Sequence, residues 1–123
     1  MRRINIGKLN KRLTFERLGD IEDEMGQIKQ GRQPIATVWG SLYPVRNSEF
    51  YEIQKVQSKT THKCYIRYRP GIDTGCFIEY AGELFEIESV IDVDMEHKML
   101  EIMCSVYKNK ELIPFGRQPN AEN

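Results

Sequence analysis

The chain has 123 residues, with 18 basic and 18 acidic side chains and a formal net charge of zero; this length suits a single domain able to bury roughly two thirds of its unfolded surface without a metal or disulfide staple. Zero net charge excludes a global field toward nucleic acid or an anionic membrane, so any such contact needs a local patch. No apolar run is long enough to span a bilayer and the basic start MRRINIGK lacks the apolar stretch of a signal peptide, so synthesis in a cytosol and no membrane partner are expected.

Met1 to Arg12 carries Arg2, Arg3, Lys8, Lys11 and Arg12 without an acid, and residues 1–11 read as a solvated basic arm. Arg12 to Arg17 alternates Leu13 and Phe15 with Thr14 and Glu16, the period of a first strand. Gly19 to Pro34 is polar, rich in turn formers and without period, so a long loop is expected between the first and second strands. Asp20, Glu22 and Glu24 imitate the start of an EF-hand, but Met25 stands at the sixth position and Gly31 at the twelfth, which removes both the tight turn and the bidentate ligand. These acids, with Asp23, suit contact with a basic neighbour instead.

Ile35 to Val45 is the second strand, with Ala36, Val38, Gly40 and Leu42 on one phase and Thr37, Trp39, Ser41 and Tyr43 on the other. Gly40 in mid-strand suggests a bend or bulge, and Trp39 is expected to pack at the barrel end or under the loop. After Pro44 the period changes: Ser48 is a plausible N-cap, Glu49 and Glu52 suit a helix start, and Phe50, Ile53 and Val56 share one side. Asn47 to Gln57 therefore reads as a short helix, followed by the polar run Ser58, Lys59, Thr60, Thr61 and His62. It is either a plug for one barrel end or an interaction arm.

Cys64, Ile66 and Tyr68 alternate with Tyr65, Arg67 and Arg69, Pro70-Gly71 reads as a type II turn, and Cys76 to Tyr80 is the next strand. Ala81-Gly82 is expected to form a type I turn with a glycine bulge, because Ala in a left-handed position is costly. In the following run Phe85, Ile87, Ser89 and Ile91 face one way and Glu86, Glu88 and Asp92 the other, with Asp94 continuing the wet side. Asp92 to Lys98 is a charged connection, Leu100, Ile102, Cys104 and Val106 mark the last strand, and residues 108–123 read as a flexible tail. The fold class is mainly all-β: one domain over residues 1–107, a small antiparallel six-stranded barrel with one short helix between strands two and three.

No catalytic or metal constellation with a recognisable spacing is present in the sequence. His62 and His97 stand alone, Cys64, Cys76 and Cys104 form no CxxC pair and fall on apolar phases, and no glycine-rich loop opens a helix after a strand. No enzyme activity, metal or cofactor is expected. The exposed phase of Tyr65, Arg67 and Arg69 leaves open an OB-like module binding single-stranded nucleic acid by stacking.

INIGKLNKRLTFER, ATVWGSLYPVRNSEFYEIQKVQSKTTHKCYIRYRPGID, FIEYAGELFEIESVIDVD and a final LEIMC, in this order, resemble the head-tail adaptor, or head-tail joining and stopper, family of long-tailed bacteriophages and prophages. The resemblance spans residues 4 to 107 and is carried by Gly26, Trp39, Phe50-Tyr51 with Gln54 and Gln57, and Ile66 to Ile72; it departs at Ala81-Gly82, where the family often has Asp-Gly or Asn-Gly, and in the segment from Lys108. It implies a structural protein, made in the host cytoplasm and residing in the virion neck, that joins the portal vertex of the DNA-filled head to the tail. The implied partners are the portal or connector adaptor ring, a tail-completion protein, other copies in a commonly dodecameric ring, and packaged DNA met only in the channel. The segment between strands two and three is the implied channel-facing part, here Ser48, Tyr51, Gln54, Lys55, Gln57, Ser58, Lys59, Thr60, Thr61 and His62. Arg2, Arg3, Asp20, Glu22, Asp23 and Glu24 are the expected contacts to connector or tail.

Overall fold

The computed structural model describes residues 8–45 and 60–116. Six antiparallel strands, β1 (Lys11–Glu22), β2 (Ile28–Pro44), β3 (His62–Arg67), β4 (Cys76–Tyr80), β5 (Glu83–Asp92) and β6 (Met99–Val106), close into a barrel in the order β1-β2-β3-β6-β5-β4. The all-β class and the six-stranded barrel are as the alternation implied. Leu13, Phe15, Leu42, Cys64, Ile66, Ile78, Phe85, Ile87, Ile102 and Cys104 fill the interior, because a period of two brings each onto the dry face of its strand. All three cysteines are free and buried, and burial pushes the Cys104 thiol up to about 12.

The expected long loop at Gly19–Pro34 is not a loop. β1 continues to Glu22 and β2 starts at Ile28, paired without a break from Leu18↔Arg32 to Glu22↔Ile28, so a two-stranded ribbon projects past the barrel. The ribbon has little period-two hydrophobicity because both its faces meet solvent over most of its length. The bend in β2 lies at Ile35, the extra residue where Phe15↔Ala36 gives way to Glu16↔Pro34; Pro34, without an N–H, suits that bulge. Gly40 answers to crowding instead: a Cβ there would come within 2.7 Å of Ile66 Cγ2 and the Tyr65 carbonyl oxygen.

Three further expectations are revised. Ala81 (φ 54) and Gly82 (φ 85) are both left-handed between Tyr80 and its partner Glu83, which is a type I′ turn; the sheet twist selects it in a two-residue hairpin despite the cost at Ala. Glu88 is a bulge residue between Ile87↔Cys104 and Ser89↔Met103. The phase flips there, so Val90 packs on the core while Ile91 is 49% exposed. Tyr68 falls beyond the end of β3 and stacks on His97 rather than entering the core. Gly71, at φ 90, matches the second central position of a type II turn.

Residues 107–116, of which those from Lys108 were expected as a tail, turn back along the outside. Tyr107 N donates to the Leu84 carbonyl at 2.8 Å, Lys110–Leu112 make a single 3-10 turn, and Phe115 forms a parallel bridge with Arg32 of the ribbon. Residues 113–116 act as a strap along the β2 edge.

Candidate assembly interface

A closed barrel offers no unpaired strand of its own, so strand pairing with another chain is open only to what leaves it. The β1–β2 ribbon leaves at one end. Its turn is built by Asp23, whose Oδ1 accepts the backbone N–H groups of Met25 and Gln27 at 2.9 Å each, while Gly26 takes φ 82. Asp20, Glu22 and Glu24 stand exposed around it, and Asp20 Oδ1 accepts from Gln30 Nε2 at 2.8 Å. The tip is therefore an acidic knob on a rigid stem. Among the described residues no group of three or more His, Cys, Asp or Glu side chains is placed to hold a metal ion.

The stem is held by a cluster the sequence did not signal. Ile21 is 2% exposed, and Gly31 and Gly116 lie so close to it that neither has room for a Cβ. Arg32, 5% exposed, donates from Nη1 to Glu16 Oε1 at 2.6 Å and from Nε to the Ile113 carbonyl at 2.7 Å, with its guanidinium carbon 5.7 Å from the Phe115 ring centroid. The Arg32 backbone N–H donates to the Pro114 carbonyl, and Gly116 N–H to the Arg32 carbonyl. One side chain thus ties barrel, ribbon and strap together. Burial, with the Glu79 carboxylate beside it, pushes the Glu16 carboxyl up to about 7 in spite of Arg32, and Glu16 Oε2 has no hydrogen-bond partner among the described residues.

The segment between β2 and β3 leaves at the opposite end, since β2 runs from the ribbon tip to Pro44. Residues 46–59, with the expected helix and with Ser48, Tyr51, Gln54, Lys55, Gln57, Ser58 and Lys59, lie outside the described residues, as do Arg2 and Arg3. Both stems of the segment are fixed: Pro44 pairs with His62 and Val45 N–H donates to the Thr61 carbonyl at 3.0 Å. Thr60, expected to face a channel, is instead 1% exposed and donates to Glu88 Oε1 at 2.8 Å, with Ser105 Oγ on Glu88 Oε2 at 2.9 Å. The bulge that turns Glu88 toward Thr60 explains why this carboxylate left the wet face. Thr61 Oγ1 accepts from Val106 N–H at 3.1 Å, and His62 packs edge-on against Phe85, with burial lowering its pKa. Thr60, Thr61 and His62 therefore form the neck of the segment.

A shallow cleft elsewhere is lined by Arg17, Ile35, Ala36, Arg69, Pro70, Gly71 and Ile72. Arg17 is committed to Asp73 at 3.3 Å and to the Gly71 carbonyl at 2.9 Å. The stacking platform for nucleic acid is not formed: Tyr65 is 4% exposed, with its hydroxyl donating to Glu101. Trp39 is not packed under a loop; it is 55% exposed, with the Arg12 guanidinium 4.9 Å from its ring centroid.

Residues 4–107 match the family of phage head completion proteins. The chain belongs to that family. A Shigella flexneri 2a protein whose structure was solved in solution is 27% identical to this head completion protein, with a TM-score of 0.67 over 84% of this chain and 96% of its own. A chain in the virion of a native gene transfer agent particle shares the fold at 16% identity, with a TM-score of 0.54 over 85% of this chain and 98% of its own. No curated protein matches the sequence. As a head completion protein the chain is a structural virion component with a head-tail joining role, working by contact with other virion components.

Proposed function

We propose that this head completion protein assembles as a ring in the neck, between the portal or connector side of a DNA-filled head and the tail, and helps keep packaged DNA from leaking. Copies would assemble in the host cytoplasm, with residues 48–59 turned to the channel and the ribbon, with Asp20, Glu22, Asp23 and Glu24, turned to a connector or tail protein. One observation carries the reading: an edgeless barrel sends its two excursions, the β1–β2 ribbon and the β2–β3 segment, from opposite ends of the same strand. A body built this way can hold one neighbour at each end, and weak contacts repeated around a ring close it firmly. Zero net charge also suits a conduit, since a strongly basic ring would grip passing phosphates. Electron microscopy of purified virions and tail-less heads tests the proposal: density for this barrel in the neck is expected, and its absence there would contradict it.

A further inference from the structure

Past Arg17, β1 has a strand partner on one side only. β4 pairs with it across Thr14–Arg17, whereas β2 stays paired out to Glu22, so Leu18–Glu22 presents a backbone edge outside the barrel. The Gln33 side chain lies across Gly19, 3.3 Å from where a Cβ would stand, and gives its amide to the Asp20 carbonyl. A side chain there supplies what a neighbouring strand's N–H supplies elsewhere. Natural edges are commonly blocked by Lys or Pro, and this one has neither. It carries Asp20 and Glu22, with Asp23 and Glu24 at the turn, Lys29 as the one base within residues 18–31, and Leu18 (42% exposed) and Ile28 (53%) beside them.

The segment that fits is basic and alternately apolar, and the sequence contains one. Arg2, Ile4 and Ile6 share one phase, Arg3 lies on the other, and no acid occurs before Glu16. The arm enters β1 at Lys11, at the far end from Glu22, and β4 already covers the intervening β1 edge, so its own edge is screened from it. Donor and acceptor then belong to different copies and to different surfaces, which is the head-to-tail contact that closes rings.

We propose that Arg2–Ile6 of one copy adds as an antiparallel strand to the Leu18–Glu22 edge of the next, with Arg2 opposite Glu22, Ile4 opposite Asp20 and Ile6 opposite Leu18. Strand addition supplies backbone hydrogen bonds, and the side-chain phase supplies register. This rests on the ring assembly proposed above and names the contact between its copies, which takes Asp20 and Glu22 for the neighbouring copy and leaves Asp23 and Glu24 at the ribbon turn to the connector or tail protein.

Particles assembled with the double variant Ile4→Cys and Asp20→Cys, mildly oxidised, test it, because the native cysteines are buried. Covalent multimers are expected on non-reducing gels from the double variant, and monomer alone from each single variant. Particles that contain the double variant without multimers would overturn the strand exchange and leave the ring standing; absence of the wild-type chain from the neck would overturn both. A charge swap gives a second reading free of thiols. Glu22→Arg is expected to lower incorporation at least about tenfold, roughly 1.4 kcal/mol summed over the ring, and Arg2→Glu in the same chain to restore it. Failure of the second change to rescue the first would overturn the register.

Discussion

Gly40 and Gly31 lie in the same strand and neither has room for a methyl group, yet they serve two different kinds of structure. At Gly40 a Cβ would meet Ile66, Leu13 and the Tyr65 backbone, in a barrel where every strand has two neighbours. At Gly31 it would meet Ile21 and the Pro114 carbonyl, in a ribbon with one partner strand and a strap. The barrel is held by a continuous apolar interior, and the ribbon by its strand pairing, the buried Ile21 and a polar clamp around Arg32. On the proposed function this is a division between scaffold and contact element, since elements that engage partners come from the less redundant parts of a fold.

The sharpest way to break the comparison is Arg32→Ala. It strands the Glu16 carboxylate and frees the strap, for an expected loss of about 3 kcal/mol at pH 8. The loss should shrink near pH 5, where Glu16 takes a proton instead. Hydrogen exchange should show protection falling first in Leu18–Arg32 and Ile113–Gly116; equal loss throughout the barrel would mean that ribbon and barrel are one cooperative unit. Gly40→Ala comes next, with about 1–3 kcal/mol of overpacking read as a lower midpoint of global denaturation. Gly31→Ala should release the strap while moving that midpoint less.

The pH profile follows from Glu16. Its folded pKa, about 7, lies above the ordinary carboxyl value of 4.5. Between those values the folded state binds the extra proton, so stability falls as pH rises through that window, by about 3 kcal/mol. Glu16→Gln should flatten this part of the profile, and thermal melts of both proteins from pH 4.5 to 8 check it. Smallest is Ala81→Asn, which relieves the left-handed Ala81 and should raise stability by about 0.5–1 kcal/mol in the same melts, with no effect on the ribbon.

The barrel was legible because Leu13 and Phe15, Cys64 and Ile66, and Ile102 and Cys104 alternate on strands with one dry face. The ribbon was not, because Asp20, Glu22, Lys29 and Gln30 are solvated and carry no period, so a paired extension reads as a loop. Arg32 and Glu16 are 16 residues apart and meet only through hairpin pairing that local pattern does not predict. The bulge at Glu88 was likewise hidden, since Ser89 and Ile91 continue a regular alternation on paper. Of the candidate contacts, the ribbon acids occupy an exposed tip, whereas Thr60 proved to be a buried neck residue.

The central claim is that the barrel is a scaffold for excursions that do the joining, and shortening one excursion tests it most directly. Replacing residues 48–59 by a short Gly-Ser turn leaves Thr60 and Thr61 to their bonds with Glu88, Val45 and Val106. The account predicts a protein that melts within a few degrees of the wild type and yields heads that lose their DNA. An unfolded protein, or DNA-filled tailed particles in normal yield, would contradict it.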